Sequence, residues 1–158
     1  MRALILFHVA ISLVGILSGL VVIFGLLTAN RLDRWTMVFL ITTIATSLTG
    51  FLFSFRTLPG TGIGIISIVL LAVAIFARYV RHLGGAWRWI FVVTAMASLY
   101  FNVFVLIAQL FLKLPALRAL APTQSDPPFL AAQLLNLVLF LVLTILAMIR
   151  FRVPRVVT

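Results

Sequence analysis

Five long apolar runs make up most of this chain, and the segments between them are short clusters of arginine and tryptophan or of glycine and proline. The runs cover about residues 3–29, 35–55, 62–77, 87–112 and 127–149. A helix rises about 1.5 Å per residue and the hydrocarbon layer of a bilayer is roughly 30 Å thick, so runs of this kind read as membrane-spanning helices. In lipid a backbone must satisfy its own hydrogen bonds, which a helix does within one segment. The pattern predicts an all-α fold, a polytopic transmembrane helix bundle of five spans forming a single integral membrane domain over 1–158.

Within the runs, polar and small residues fall on particular faces. In the first, His8, Ser12, Gly15, Gly19 and Val22 recur at intervals of three and four and share one side. Gly15 and Gly19 have the spacing that lets two helices approach closely. The second run carries Thr42, Thr43, Thr46, Ser47, Thr49 and Gly50, a hydroxyl-rich surface whose ordinary role is to bond back to its own helix and pack tightly. The third is the most uniformly apolar, with Ser67 its one polar residue, and is expected to face lipid. The fourth sets Thr94, Ser98, Asn102, Val105, Gln109 and Lys113 along one stripe, polar at every position but Val105, and is expected to face the bundle interior. The fifth holds Gln133, Asn136 and Thr144 among Leu, Val and Phe.

The connections carry their own signals. Asp33, in the turn from Arg31 to Trp35, is placed to cap the second helix. Ser125 and Asp126 stand before Pro127 and Pro128 as capping residues for the fifth, at the end of the longest loop, 115–128. The stretch from Arg78 to Trp89 reads as a charged turn at one water interface. The first run is longer than the roughly 7–15 residue apolar region of a signal peptide and is read as a retained helix.

Composition places the chain in lipid: 65% of residues are apolar, 9% are charged and the mean hydropathy is +1.33. Soluble domains are roughly 45–50% apolar and about 25% charged. The net charge of +10 comes from eleven Arg and Lys113 against Asp33 and Asp126. These cations sit at the ends of apolar runs, where they orient helices and meet anionic headgroups, so the expected partner is the lipid bilayer and not nucleic acid. One face collects Arg31, Arg34, Arg78, Arg81, Arg88, Arg150, Arg152 and Arg155, and the other only Arg2, Arg56, Lys113 and Arg118. The richer face is expected to be cytoplasmic, which leaves the N-terminus outside and the C-terminus in the cytoplasm. Trp35, Trp87, Trp89 and Tyr79 lie at that same boundary and suit an interfacial belt.

With the helices run in these directions, His8, Ser12, Thr49, Gln109, Lys113, Gln133 and Asn136 fall in the outer half of the bilayer, with Asn102 on the same stripe of the fourth span. Polar groups are costly in hydrocarbon, so they imply either an interhelical hydrogen-bond network or a ligand pocket. Lys113 and Arg56 would stand at the mouth of such a pocket. His8, among small residues, also admits a single-histidine haem, a chlorin or a quinone, although no cofactor is predicted outright; His82 lies at the opposite surface and cannot share a porphyrin with it. No carboxylate lies inside a span, which removes the usual acidic proton relay. The chain has no Cys, and its two His lie on opposite faces, so a protein-built zinc or copper site and thiolate chemistry have no material. His8 with Ser12 lacks an orienting acid for hydrolysis.

On Thr49-Gly50-Phe51, Ala77-Arg78-Tyr79 and the stretch Ala121-Pro122-Thr123-Gln124-Ser125-Asp126-Pro127-Pro128-Phe129, the whole chain resembles a family of small bacterial multi-span inner-membrane proteins with no known activity. The resemblance implies a multi-pass protein of the bacterial inner membrane and supplies no catalytic residue. Three readings follow. The first is a non-enzymatic accessory subunit, acting as a homo-oligomer or with other membrane helices in a larger complex. The second is a protein that binds or transports a small neutral or anionic ligand in the outer polar layer, and the third a haem-, chlorin- or quinone-binding redox subunit that uses His8.

Overall fold

The computed structural model describes the backbone at residues 2–54 and 58–152, and the side chains there except at 2, 53, 54 and 58–61. Every regular element among the described residues is helical: α1 (Arg2–Leu27), α2 (Asp33–Ser54), α3 (Leu58–Ile75) continued by a π turn (Phe76–Val80), α4 (Trp87–Lys113), the short α5 (Pro115–Leu120) and α6 (Pro127–Arg150). Five of these, α1, α2, α3 with its π turn, α4 and α6, are long and apolar enough to cross a membrane. This is a membrane protein.

Short connections make successive spans antiparallel. α1 packs on α2, α2 on α3 and α3 on α4, while α4 also touches α1 and α6, and α6 closes against α1. The polar stripe on α4 meets this arrangement as expected, because α4 has the most neighbours. Its upper members are buried, and Thr94 and Ser98 donate to the carbonyls of Ile90 and Thr94 at 2.7 and 2.8 Å. The third span is not the most lipid-exposed helix. That position falls to α6, of whose most apolar window 22% is buried against 28% for the third span. The cause lies in packing: α3 is held between α2 and α4, and its Ser67 is buried.

The two ends of the bundle differ. On α1, Ala3 to Phe7 are exposed, whereas Ile16, Ser18, Val22, Ile23 and Leu26 are buried against Phe39, Leu40, Phe91, Met96 and Leu99. Gly19 permits this contact: a Cβ there would stand 2.6 Å from a Leu99 methyl and 3.1 Å from the Phe39 ring. The helices are therefore closed together where α1 ends and open where it begins.

The closed end is built around Arg78. Helical hydrogen bonds from Arg81 N to Phe76 O and from Leu83 N to Ala77 O, both 3.0 Å, insert extra residues into the turn. This π geometry carries the helix past Ala77, where the apolar run suggested it would stop, and turns Arg78 inward. Only 1% of the Arg78 side chain is exposed. Its Nη2 donates to Arg31 O at 3.0 Å and pairs with Asp33, and its guanidinium lies 5.1 Å from the Phe91 ring centroid. Nε and Nη1 have no hydrogen-bond partner.

These contacts change two expectations. Arg78 belongs to the core of the closed end rather than to an exposed turn, and Asp33 opens α2 as an ion-pair partner of Arg78 and, at 3.6 Å, of Arg31. The turn that follows holds His82 and Leu83 in the left-handed region, at φ 48° and 59°. Such residues cost about 1–2 kcal/mol each, and burial of the Leu83 side chain offsets it. Arg81 and Arg88 stack on Trp87 and Trp89 at 5.2 and 4.8 Å, and Arg88 also donates to Phe151 O, which ties the start of α4 to the end of α6.

At the open end the connection between α4 and α6 is partly helical, because Pro115 at the first position of α5 starts a turn without needing an N–H partner. Asp126 occupies the N-cap position of α6, but its side chain reaches back instead, accepting from Thr123 N at 2.7 Å and Thr123 Oγ1 at 2.9 Å.

Candidate functional site

Where the helices part at the open end, α1 to α4 enclose a cleft of about 710 Å³. That volume lies within the roughly 300–1,000 Å³ of small-molecule sites. Five of the eight polar residues singled out from the sequence line it: His8 and Ser12 from α1, and Asn102, Gln109 and Lys113 from α4. The helical repeat puts Asn102, Gln109 and Lys113 on one stripe, and the separation of α1 from α4 here turns that stripe into a wall.

Thr49 is not a lining residue. It instead fixes His8, whose Nδ1 lies 2.7 Å from Thr49 Oγ1. Thr49 Oγ1 also lies 2.7 Å from Ala45 O, and the His8 tautomer decides which of the two neighbours takes its single proton. A Cβ at Gly50 would meet His8 Cε1 at 3.6 Å, an ordinary contact.

Gln133 and Asn136 are set apart from the cleft. Both are buried in the seam between α4 and α6, where Gln133 Nε2 donates to Phe104 O at 3.1 Å, and Gln133 Oε1 and Asn136 Nδ2 lack partners. Arg56, expected beside Lys113 at the mouth, lies outside the described residues.

The cleft also contains residues that were not singled out as site residues. Thr46 and Ser47 come from α2, Ser67 from α3 and Gln124 from the loop before α6. Ser47 had been read as part of a packing surface and Ser67 as the lone polar residue of a lipid-facing helix. The usable signal was that a solitary hydroxyl in an otherwise apolar span needs a reason. Apolar walls are supplied by Ile5, Val9, Phe51, Phe101 and Leu106.

The hydroxyls divide by what they can offer. Ser12 and Thr46 donate to Val9 O and Thr42 O, both at 2.8 Å, and so present only lone pairs to the cleft. Ser47 and Ser67 are 7% and 4% exposed and make no side-chain hydrogen bond among the described residues, so they retain a donor as well. Asn102 spends one N–H on Thr43 Oγ1 at 3.3 Å. Among the described residues Lys113 forms no ion pair, and no group of three His, Cys, Asp or Glu gathers to hold a metal. Among the described residues of the cleft, His8 is the one imidazole that could ligate a metal-bearing cofactor.

No protein-family model, curated protein or solved structure matches this chain.

Proposed function

We propose that this protein binds a small amphipathic ligand in the open-end cleft, as a non-enzymatic binding or transport protein of the membrane. The observation that carries this reading is convergence: four helices far apart in sequence bring polar side chains to one space, with apolar walls between them. A network that served packing alone would be closed, as it is at Thr94 and Ser98, where the hydroxyls are buried and satisfied by their own helix. At the cleft, Ser47, Ser67, Gln109 and Lys113 are left for something else to satisfy.

The same proposal includes an orientation and a location. The arginine-rich closed end faces the cytoplasm and the cleft faces outward, with the N-terminus outside; the support is the positive-inside distribution and the aromatic residues at the closed end. The resemblance to small bacterial multi-span proteins supports the bacterial inner membrane. Because the chain lacks Cys, engineered cysteines report orientation directly. Ser125→Cys should react with an impermeant maleimide in intact cells and His82→Cys should not, and the reverse result would overturn this orientation.

Ligand binding is tested by purifying the protein in mild detergent, denaturing it, and identifying released small molecules by mass spectrometry alongside an absorption spectrum. A stoichiometric small molecule that is lost in Ser67→Phe supports the reading. An absorbing species lost in His8→Ala would make that molecule a haem, chlorin or quinone. An empty protein with stoichiometric protein partners would overturn ligand binding in favour of an accessory subunit.

A further inference from the structure

The distribution of hydrogen-bonding capacity along the cleft says more than that something polar binds there. Two of its serines, Ser47 on α2 and Ser67 on α3, are more than nine-tenths buried and have no hydrogen-bond partner among the described residues. Both serines line the cleft, and two unspent hydroxyl donors from different helices opening onto one space mark a place where a polar group is received. Ser12 and Thr46, whose protons are already donated to their own helices, add only acceptor lone pairs at this level. A group that both accepts from the first pair and donates to the second is matched here, and a hydroxyl is the simplest such group.

The mouth has a different character. Among the described residues, Lys113 is the one formally charged residue of the lining, no carboxylate faces it across the cleft, and it makes no ion pair. The acid of the neighbouring loop, Asp126, is engaged by the backbone N–H and hydroxyl of Thr123. The mouth therefore favours an anion. Between the two lies an apolar belt: on α4, Val105 interrupts the polar stripe between Asn102 and Gln109, and Phe101 and Leu106 flank it. From Asn102 to Lys113 the helix rises about 16 Å, an upper bound on the length of the occupant, since Asn102 bonds Thr43 one helical turn short of Ser47.

We infer that the cleft takes an elongated organic acid, with its anionic group at Lys113, an apolar body along α4, and a hydroxyl held between Ser47 and Ser67. This rests on the ligand-binding reading and names the class of ligand for that same cleft. A plain fatty acid leaves both serines unpaired, and a neutral alcohol leaves Lys113 without a counter-charge.

The test uses three defined probes, ω-hydroxylaurate, laurate and lauryl alcohol, added to the purified full-length protein and compared by native mass spectrometry in one detergent. The hydroxy acid should bind tightest and the alcohol weakest. Lys113→Gln, a change at an exposed rim, should weaken both acids about tenfold and leave the alcohol unchanged. Ser47→Ala combined with Ser67→Ala should weaken the hydroxy acid about tenfold, to the level of laurate, without moving laurate itself. Acids indifferent to Lys113→Gln, or a hydroxy acid bound no better than laurate, would overturn the assignment. Ser67→Phe and, independently, Val105→Trp block the cleft. If all three probes bind these variants undiminished, the probes lie elsewhere and the ligand-binding reading falls too. If the blocks abolish binding while charge and hydroxyl have no effect, the organic-acid assignment alone falls.

Discussion

The closed and open ends of this bundle treat the same problem, polar groups among membrane helices, in opposite ways. At the closed end a full charge is buried: Arg78 is surrounded, paired with Asp33, bonded to a backbone carbonyl and laid against Phe91. At the open end Lys113, the one charged residue of the cleft among the described residues, stays at the rim, and the groups inside are hydroxyls, amides and the His8 ring. A buried charge must be compensated within the protein, because removing its partner leaves an ion in low dielectric. Neutral polar groups are cheaper to leave for a ligand or water. The difference teaches that the closed end serves to hold the helices and the open end to receive something.

The sharpest way to break that contrast is to unpair Arg78. Asp33→Asn is expected to destabilise the protein by about 1–3 kcal/mol, because it unpairs buried Arg78 although Asp33 itself is 69% exposed, whereas Arg78→Met, which removes the charge and keeps the volume, should be near neutral. Thermal unfolding in detergent separates the two, and equal losses would mean that the ion pair is not the organising contact. Next in size is the turn held in place by Leu83. Leu83→Ala should cost about 2–3 kcal/mol, read in the same assay, since it removes the burial that offsets two left-handed residues.

Tight packing at the closed end can be compared directly with space at the open end. Gly19→Val should cost about 1–3 kcal/mol through collision with Leu99 and Phe39, while Ser12→Val, which lines the cleft, should change stability by less than about 1 kcal/mol. Water access gives the finest distinction and needs no stability change. Ser47→Cys should react with a small water-soluble thiol reagent, and Ser98→Cys, at 0% exposure, should not. Labelling of both at the same rate would mean that the bundle is open throughout.

Much of the architecture was legible in the sequence because lipid imposes a simple rule. Long apolar runs must be helical to satisfy their backbones, and the five spans stand within a few residues of where the runs begin and end. The polar stripe of α4 was legible for the same reason, since helical spacing puts Thr94 to Lys113 on one side. What could not be read was where that stripe is covered. Thr94 and Ser98 are sealed, while Gln109 and Lys113 are exposed, and only the splay of α1 from α4 distinguishes them. Gln133 and Asn136 stand at the same height as the cleft but on a helix outside it, a fact of helix order that periodicity does not contain.

Arg78 shows the limit most clearly. In sequence it is one arginine among several between two spans, and local composition gives no ground for separating it from Arg81 or Arg88. Its burial depends on a π turn that rotates it inward and on a carboxylate forty-five residues earlier that meets it there. By itself, the sequence determined that this chain is a bundle of apolar helices with basic, aromatic-flanked ends, because hydropathy, run length and helical period are local properties. The tertiary structure decided which polar residues face a shared cleft, which are sealed in a seam and which arginine is the core of an end. Those outcomes depend on how far apart the helices stand, and that distance is set by contacts between residues remote in the chain.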